Sequence, residues 1–85
     1  MNIRQILLEQ SDRTRITVWR LDGARTSIVM PNSILRPARA WCYERGYRMR
    51  DLIMAIETEK PEQMTLSEAV RTVFTHIATH RDEVL

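Results

Sequence analysis

The side chains best placed to contact another molecule alternate along a short stretch in the first half of the chain. Arg25, Ser27 and Val29 share one face of a predicted strand, because successive side chains of a strand point to opposite sides of the sheet. A guanidinium group suits phosphates and base edges, and a hydroxyl adds a second hydrogen-bonding group. This face is therefore a candidate binding surface, on which Val29 is the apolar exception.

Two further arginines, Arg48 and Arg50, lie in the first turn of a helix predicted from about Arg48 to Glu57. Positive charge there opposes the helix dipole, which favours anions at the N-terminus. An external phosphate bound to the free amide groups of that turn would explain both arginines. The alternative is that both side chains simply extend into water.

The sequence shows no set of residues typical of an active site, and two glycines leave little backbone for a phosphate-binding loop. His76 and His80 have a spacing that could hold a metal ion, but no Cys, Asp or Glu completes a convincing set. Cys42 lies on a predicted apolar face, where we expect an inert core thiol. We therefore expect no enzyme, no catalytic residue, no cofactor and no metal site.

Positive charge is concentrated in the first half of the chain. Residues 1–50 contain ten arginines and four acidic residues, whereas residues 51–85 contain three basic and seven acidic residues. Such asymmetry favours one half that faces a polyanion and another that faces solvent or a protein partner. Ordinary surface charge in an arginine-rich genome is the alternative explanation.

The 85 residues predict one domain, residues 13–85, preceded by an N-terminal arm or short helix in residues 1–12. A domain of this size buries only roughly 60–65% of its unfolded surface, so oligomerisation would stabilise it. No apolar run approaches the ~18 residues of a transmembrane helix, and the N-terminus lacks a signal pattern. We expect a cytoplasmic protein without a membrane partner.

The predicted strands, residues 13–20 and 25–30, are separated by an Asp-Gly pair that is typical of a two-residue hairpin turn. That turn would place Arg20 opposite Arg25, which is an unfavourable pair of like charges. Either the hairpin pairs in another register, or the face with both arginines meets phosphate. The sequence leaves open whether residues 13–20 pair within the chain or between chains.

Helices are predicted before and after the one at Arg48, over about Asn32–Arg45 and 66–80. We expect Asn32 to cap the first of these and Gly46 to end it in a left-handed conformation. Thr65 begins a capping-box pattern at the start of the last helix.

One strand and two helices cannot close a core alone. A strand with two open edges also leaves backbone N–H and C=O groups unpaired, which favours pairing with another strand. A second copy of the chain is the simplest partner, because two-fold dimers are the commonest assembly. The residues expected in the dimer core are Ile28, Met30, Trp41, Leu52, Ile53 and Ile56.

The order of strand, proline, helix, glycine turn and helix resembles the ribbon-helix-helix family of DNA-binding dimers, and within it a bacterial subgroup with a third C-terminal helix. The subgroup usually has a bulky aromatic pair early in its first helix, where this chain has Asn-Ser-Ile-Leu. The implied fold is mainly α with a short β-ribbon, assembled as a dimer. If residues 13–20 pair within the chain, the Asp-Gly turn adds an N-terminal β-hairpin to it. The resemblance covers about residues 23–78 and is carried by Gly23-Ala24-Arg25-Thr26-Ser27-Ile28, by Gly46 and Leu52, and by Leu66-Ser67-Glu68-Ala69-Val70-Arg71.

The resemblance implies that two chains pair their strands into an antiparallel ribbon that enters the major groove of DNA. Arg25, Ser27 and Val29 would then face the bases. A valine can touch a thymine methyl group but reads no hydrogen-bonding pattern, so base choice would depend on Arg25 and Ser27. The residues that the resemblance implies as phosphate contacts are Tyr47, Arg48, Met49 and Arg50.

The leading interpretation is a homodimeric, sequence-specific DNA-binding protein that regulates transcription. The alternative is a protein-interaction module on the same scaffold, such as an antitoxin, an adaptor or an inhibitor. The acidic C-terminal half, the apolar stripe of the last helix and the apolar Val29 favour this alternative. A protein partner would then bind through the C-terminal half.

Overall fold

The computed structural model of this chain describes residues 2–80, as four helices and one two-stranded antiparallel sheet. Each predicted strand and helix is confirmed to within two residues at its ends, and residues 81–85 of the predicted domain lie outside the described part. The elements in order are α1 (Ile3–Ser11), β1 (Arg13–Trp19), β2 (Arg25–Pro31), α2 (Asn32–Glu44), α3 (Met49–Glu59) and α4 (Leu66–Thr79).

The two strands pair within the chain, in a register one residue away from the expected one. Trp19, rather than Arg20, lies opposite Arg25. The Arg20 N–H donates to the Ala24 carbonyl oxygen at 2.8 Å, and the Gly23 N–H donates to the Arg20 carbonyl oxygen at 3.0 Å. These bonds, with Gly23 at φ +89°, define a three-residue loop made of a type I turn and a left-handed glycine. The two-residue turn does not form, and the alternative that the hairpin pairs in another register is confirmed. The observed register removes the Arg20–Arg25 repulsion.

Even-numbered residues of the two strands form the hydrogen-bonded pairs of the ladder. The Arg20–Ala24 bond lies at one end, and a 2.8 Å bond from the Asn32 N–H to the Asp12 carbonyl oxygen lies at the other. Hydrogen-bonded and non-hydrogen-bonded pairs alternate in an antiparallel ladder. The backbone groups of the odd-numbered residues therefore point to the two outer edges of the hairpin.

Asn32 does not cap α2, so that prediction was wrong. The N-cap is Pro31, and Asn32 is the first helical residue. Its side-chain oxygen instead accepts a hydrogen bond from the hydroxyl of Thr14 on β1. The reason is that α2 begins where β2 ends, so the Asn32 backbone continues the ladder and its side chain faces β1.

Gly46 ends α2 as predicted, and Thr65 begins α4 with one of the two hydrogen bonds of the predicted capping box. Gly46 has φ +70°, and the N–H groups of Gly46 and Tyr47 donate to the carbonyl oxygens of Tyr43 and Cys42 at 3.2 and 2.9 Å. This pair of bonds is a Schellman motif, which turns the chain sharply into α3. The Thr65 hydroxyl oxygen accepts a hydrogen bond of 3.2 Å from an amide in the first turn of α4.

The apolar core closes within one chain, because β1 and α4 cover surfaces that one strand and two helices leave open. Helix α4 packs along α2 and α3, and β1 packs against α3. Burial of apolar side chains is the main favourable contribution to folding. The largest side chains with less than 2% exposure are Phe74, Ile28, Met30, Leu35, Ile77 and Val70.

The residues expected in a dimer core are packed inside this single chain. Leu52 is half-buried, and the other five are at most 7% exposed. Their burial comes from the chain's own strands and helices, so a dimer core formed by them stays a prediction. The five are Ile28, Met30, Trp41, Ile53 and Ile56.

Helix α1 lies outside the core. Its side chains Ile3, Leu7 and Leu8 are 71%, 64% and 55% exposed. It contacts the remainder of the chain through α2 and β2. None of the helices in residues 2–80 is both long enough and apolar enough to cross a lipid bilayer.

Candidate nucleic-acid interface

The odd-numbered side chains of β1 and of residues 25–29 in β2 form one solvent-facing surface, which we call the outer face. It contains three arginines and no acidic residue. Val29 is half-buried, and the other members are exposed. The inward position of Ile28 and Met30 on the opposite face is confirmed. The outer face consists of Arg13, Arg15, Thr17, Trp19, Arg25, Ser27 and Val29.

The hairpin places the predicted binding residues of β2 beside residues of β1 that were not predicted to belong to the binding surface. Arg25, Ser27 and Val29 lie on the outer face as predicted, and Ser27 lies opposite Thr17. Val29 lies opposite Arg15, so a cation stands beside the apolar position. The contribution of β1 was missed, although the alternation of polar and apolar residues in that strand was the signal that could have found it.

Trp19 and Arg25 form a cation–π pair on the outer face. The guanidinium carbon of Arg25 lies 5.2 Å from the centroid of the Trp19 ring. The residue Trp19 is 45% exposed. Contacts of this kind hold a guanidinium over the face of an aromatic ring. The ring therefore orients the Arg25 side chain before any ligand binds.

A cleft of about 330 Å³ lies beside β1, between that strand, α2 and the start of α3; we call it the arginine cleft. Arg15, Arg39 and Arg50 line it, and all three are exposed. Within the described part of the chain, no carboxylate forms an ion pair with any of them. The remaining lining residues are Ile16, Thr17, Val18, Trp19, Met49 and Ile53.

Two of the four residues expected to contact phosphate, Tyr47 and Arg48, already use their backbone amides in hydrogen bonds within the chain. The Arg48 N–H donates to the carboxylate of Asp51 at 3.2 Å, and the Tyr47 N–H donates into the end of α2 at 2.9 Å. Asp51 already supplies the anion that the helix dipole favours, so the dipole needs no external phosphate for balance. The amides of Met49 and Arg50 have no acceptor within the helix. Arg50, at the arginine cleft, is therefore the best placed of these residues to contact an anion.

Glu57 on α3 fixes the tip of the hairpin. Its carboxylate accepts a hydrogen bond of 2.7 Å from the Leu21 N–H and lies 3.6 Å from Nε of Arg20. The side chain of Glu57 is only 11% exposed, whereas its partner Arg20 is 42% exposed, so the contact lies at the protein surface. Sequence reasoning missed Glu57, because Leu21 is 36 residues away and no local pattern marks the contact.

The histidines and the cysteine lie away from the outer face. The rings of His76 and His80 are stacked, with centroids 4.6 Å apart. In residues 2–80, no three or more His, Cys, Asp or Glu side chains are grouped so as to hold a metal ion. Cys42 is buried, as expected; burial and the nearby Asp51 raise the pKa of its thiol, whereas Arg45 lowers it. A buried thiol of raised pKa is a poor nucleophile.

Comparison with known proteins gives no match: no family model, no curated protein sequence and no solved structure is significantly similar to this chain. The function is therefore inferred from the residues and geometry of the chain itself.

Proposed function

We propose that this protein is a sequence-specific DNA-binding protein of the ribbon-helix-helix type that regulates transcription. The observation that carries the proposal is the outer face, an exposed two-stranded antiparallel ribbon with three arginines and no acidic residue. The major groove of DNA is about 12 Å wide and admits a two-stranded ribbon. Arginine, serine and threonine side chains are common readers of base edges in that groove.

Within the groove, the opposed pairs of the hairpin define the reading residues. Arg25 and Ser27 would contact base edges, with Arg15 and Thr17 beside them on β1. A good bidentate contact between an arginine and a guanine contributes about 1–3 kcal/mol of discrimination. Val29 would contact a thymine methyl group, and the neighbouring Arg15 supplies the hydrogen bonds that a valine lacks.

Phosphate contacts would come from the arginines that flank the ribbon. Arg39 and Arg50 lie on the far side of the arginine cleft from β1, so they stand beside the strand rather than on the outer face. When a ribbon enters the major groove, the sugar-phosphate backbone runs along its edges. Arginines beside the ribbon are therefore placed to fix its register without reading sequence.

Both strands of the proposed reading ribbon come from one chain, which departs from the two-chain ribbon that the resemblance implies. If the β2 strands of two copies paired side by side, the sheet would have four strands. At a spacing of ~4.8 Å, its outer strands would lie roughly 14 Å apart. Such a sheet is wider than the major groove, which is about 12 Å wide. We therefore propose a homodimer in which each copy inserts its own hairpin. The two half-sites would lie about 34 Å apart, which is one turn of DNA.

The proposal is tested by titrating the full chain with genomic duplex fragments over a range of salt concentrations. We expect log affinity to fall linearly with log salt, as phosphate contacts require. Arg25→Ala should relax base choice, whereas Arg50→Ala should weaken all sequences alike and reduce the salt slope by about one. Absence of binding at low salt would reject the proposal.

Arg4→Ala is the matched control for these variants. Arg4 is an exposed arginine on α1, and its removal changes the net charge by the same amount. We expect it to leave both affinity and base choice nearly unchanged. If Arg4→Ala weakens binding as much as Arg25→Ala does, only overall charge attracts DNA, and the ribbon is not the reading element.

A protein partner bound through the acidic C-terminal half is less favoured by the geometry. The apolar stripe of α4, which motivated that alternative, faces the core. Its buried members are Leu66, Ala69, Val70, Phe74 and Ile77.

A further inference from the structure

We propose that the arginine cleft also binds an extended acidic peptide, which adds as a third strand to the free edge of β1. This site lies along the edge of β1 and shares Arg15, Thr17 and Trp19 with the outer face, but it does not require that the protein bind DNA. The partner is defined by its chemistry: a segment of about five residues in which acidic and small apolar side chains alternate. Peptides that add to an open sheet edge obtain affinity from main-chain hydrogen bonds and specificity from alternate side chains.

The backbone of β1 presents free hydrogen-bonding groups to the cleft. Even-numbered residues are paired with β2, so the N–H and C=O groups of Arg15, Thr17 and Trp19 point away from β2. Five consecutive residues of β1, Arg15–Trp19, line the cleft. Both alternating sets of side chains can border one cleft only if the cleft follows the strand edge. At about 3.3 Å per residue, this edge matches a peptide of similar length.

The side chains around that edge fit an acidic and partly apolar ligand. Ile16, Met49 and Ile53 supply an apolar floor, of which Ile53 is buried and the other two are half-buried. Arg39 and Arg50 supply positive charge opposite the strand. Because no carboxylate of the described residues neutralises these guanidinium groups, a carboxylate-bearing ligand would complement them.

These features favour a peptide over a DNA strand in the cleft. A phosphate backbone uses cations, but it has no alternating N–H and C=O groups to pair with a strand edge. It also gains little from an apolar floor such as Ile16 and Met49. An extended peptide uses the cations, the edge and the floor together.

The test measures amide hydrogen exchange of the full chain by NMR, with and without a blocked peptide that alternates glutamate with valine. Strand addition should slow the exchange of Arg15, Thr17 and Trp19 amides by roughly tenfold or more, because they become hydrogen-bonded. The amides of Ile16 and Val18 are already bonded to β2, so their exchange should not change. This odd–even pattern distinguishes strand addition from attraction by charge alone.

Two control peptides separate the contributions. A peptide with lysine in place of glutamate should not bind, because it meets three arginines. The glutamate peptide with its pairing amides N-methylated keeps its charge but loses main-chain bonds, and we expect about tenfold or more weaker binding. Equal binding of the methylated and unmethylated peptides would overturn the proposal.

Variants of the cleft provide a second measurement. Arg39→Gln and Arg50→Gln should each weaken peptide binding by roughly two- to fivefold, the range expected for exposed ion pairs. Arg36→Gln is the matched control, since Arg36 is an exposed arginine of the same helix that lies outside the cleft. An effect of Arg36→Gln as large as that of Arg39→Gln would overturn the proposal.

A duplex fragment in place of the peptide distinguishes this site from the proposed DNA surface. DNA bound in the proposed orientation places phosphates beside the β1 edge but offers no regular row of main-chain acceptors, so it should slow the odd-numbered β1 amides less than the peptide does. If a duplex slows the Thr17 amide and the peptide does not, the cleft is a nucleic-acid site and the peptide proposal fails. If the duplex does not bind and the peptide gives the odd–even pattern, the DNA proposal fails and this one stands.

Discussion

The guanidinium group of Arg71 on α4 donates a hydrogen bond from Nη2 to the backbone carbonyl oxygen of Val29, at 2.9 Å. Val29 is an odd-numbered residue of β2, so its carbonyl points to the outer edge of the hairpin rather than to β1. Arg71 therefore occupies part of the only side on which β2 could pair with another strand. Charged side chains at exposed edges are a known protection against unwanted pairing of strands.

Removal of this contact should increase association of the chain through β2. We expect Arg71→Ala to form species larger than those of the unmodified chain in sedimentation experiments at a fixed protein concentration, because the Val29 carbonyl becomes available to another strand. Arg4→Ala, which removes an exposed arginine from α1, should leave the distribution as it is in the unmodified chain. Identical mass distributions for Arg71→Ala and the unmodified chain would show that Arg71 does not protect the edge.

Replacement of Phe74 should show that α4 is part of the core. Phe74 is 0% exposed, and Phe74→Ala should lower the free energy of unfolding by about 3–5 kcal/mol through lost burial and a residual cavity. Chemical denaturation measures this loss. Phe74→Leu should lower the free energy of unfolding by less, and it replaces the alanine variant as the test if that variant does not fold.

Tyr43→Ala is the control for Phe74, because Tyr43 is an aromatic residue with 88% exposure. Its replacement should change stability by no more than about 0.5 kcal/mol. Similar losses for the two variants would contradict the packing of α4 against α2.

Gly46 should be required for its backbone conformation and not for space. A Cβ atom at this position would meet nothing within 4 Å, but φ is +70°. We expect Gly46→Ala to destabilise the chain by about 1–2 kcal/mol, the cost of a left-handed conformation for a residue with a side chain. Gly46→Asn should cost less, since asparagine tolerates this region better. Urea denaturation of the two variants tests the order, and an alanine variant as stable as the asparagine variant would contradict it.

Glu57 should control the mobility of the hairpin tip. Glu57→Ala removes the acceptor of the Leu21 N–H, so hydrogen exchange at Leu21 should become faster while exchange in the core of α4 changes less. Binding to DNA should weaken moderately, because the outer face loses its fixed position against α3. Glu59→Ala, at an exposed position of the same helix, is the control and should leave Leu21 exchange unchanged.

The sequence by itself determined the local elements and the faces of the strands. Alternation placed Ile28 inward and Arg25 outward, because the side-chain period of a strand is two. Gly46 and Thr65 marked helix ends, because a left-handed residue and an N-terminal hydroxyl satisfy backbone groups that are local in sequence. These features depend on residues within a few positions of each other, so a single sequence contains the information.

Only the tertiary structure decided the features that join distant segments. The Asp-Gly pair is compatible with a two-residue or a three-residue loop, and the pairing of β1 with β2 over their whole length selected the second. The side chain of Asn32 could either cap α2 or bind a neighbouring strand. Because Thr14 of β1 lies close to it, the side chain accepts a hydrogen bond from Thr14 and does not cap the helix. The closing of the core by α4, the Glu57–Leu21 bond and the arginine cleft likewise depend on packing between residues far apart in the chain, which no local pattern encodes.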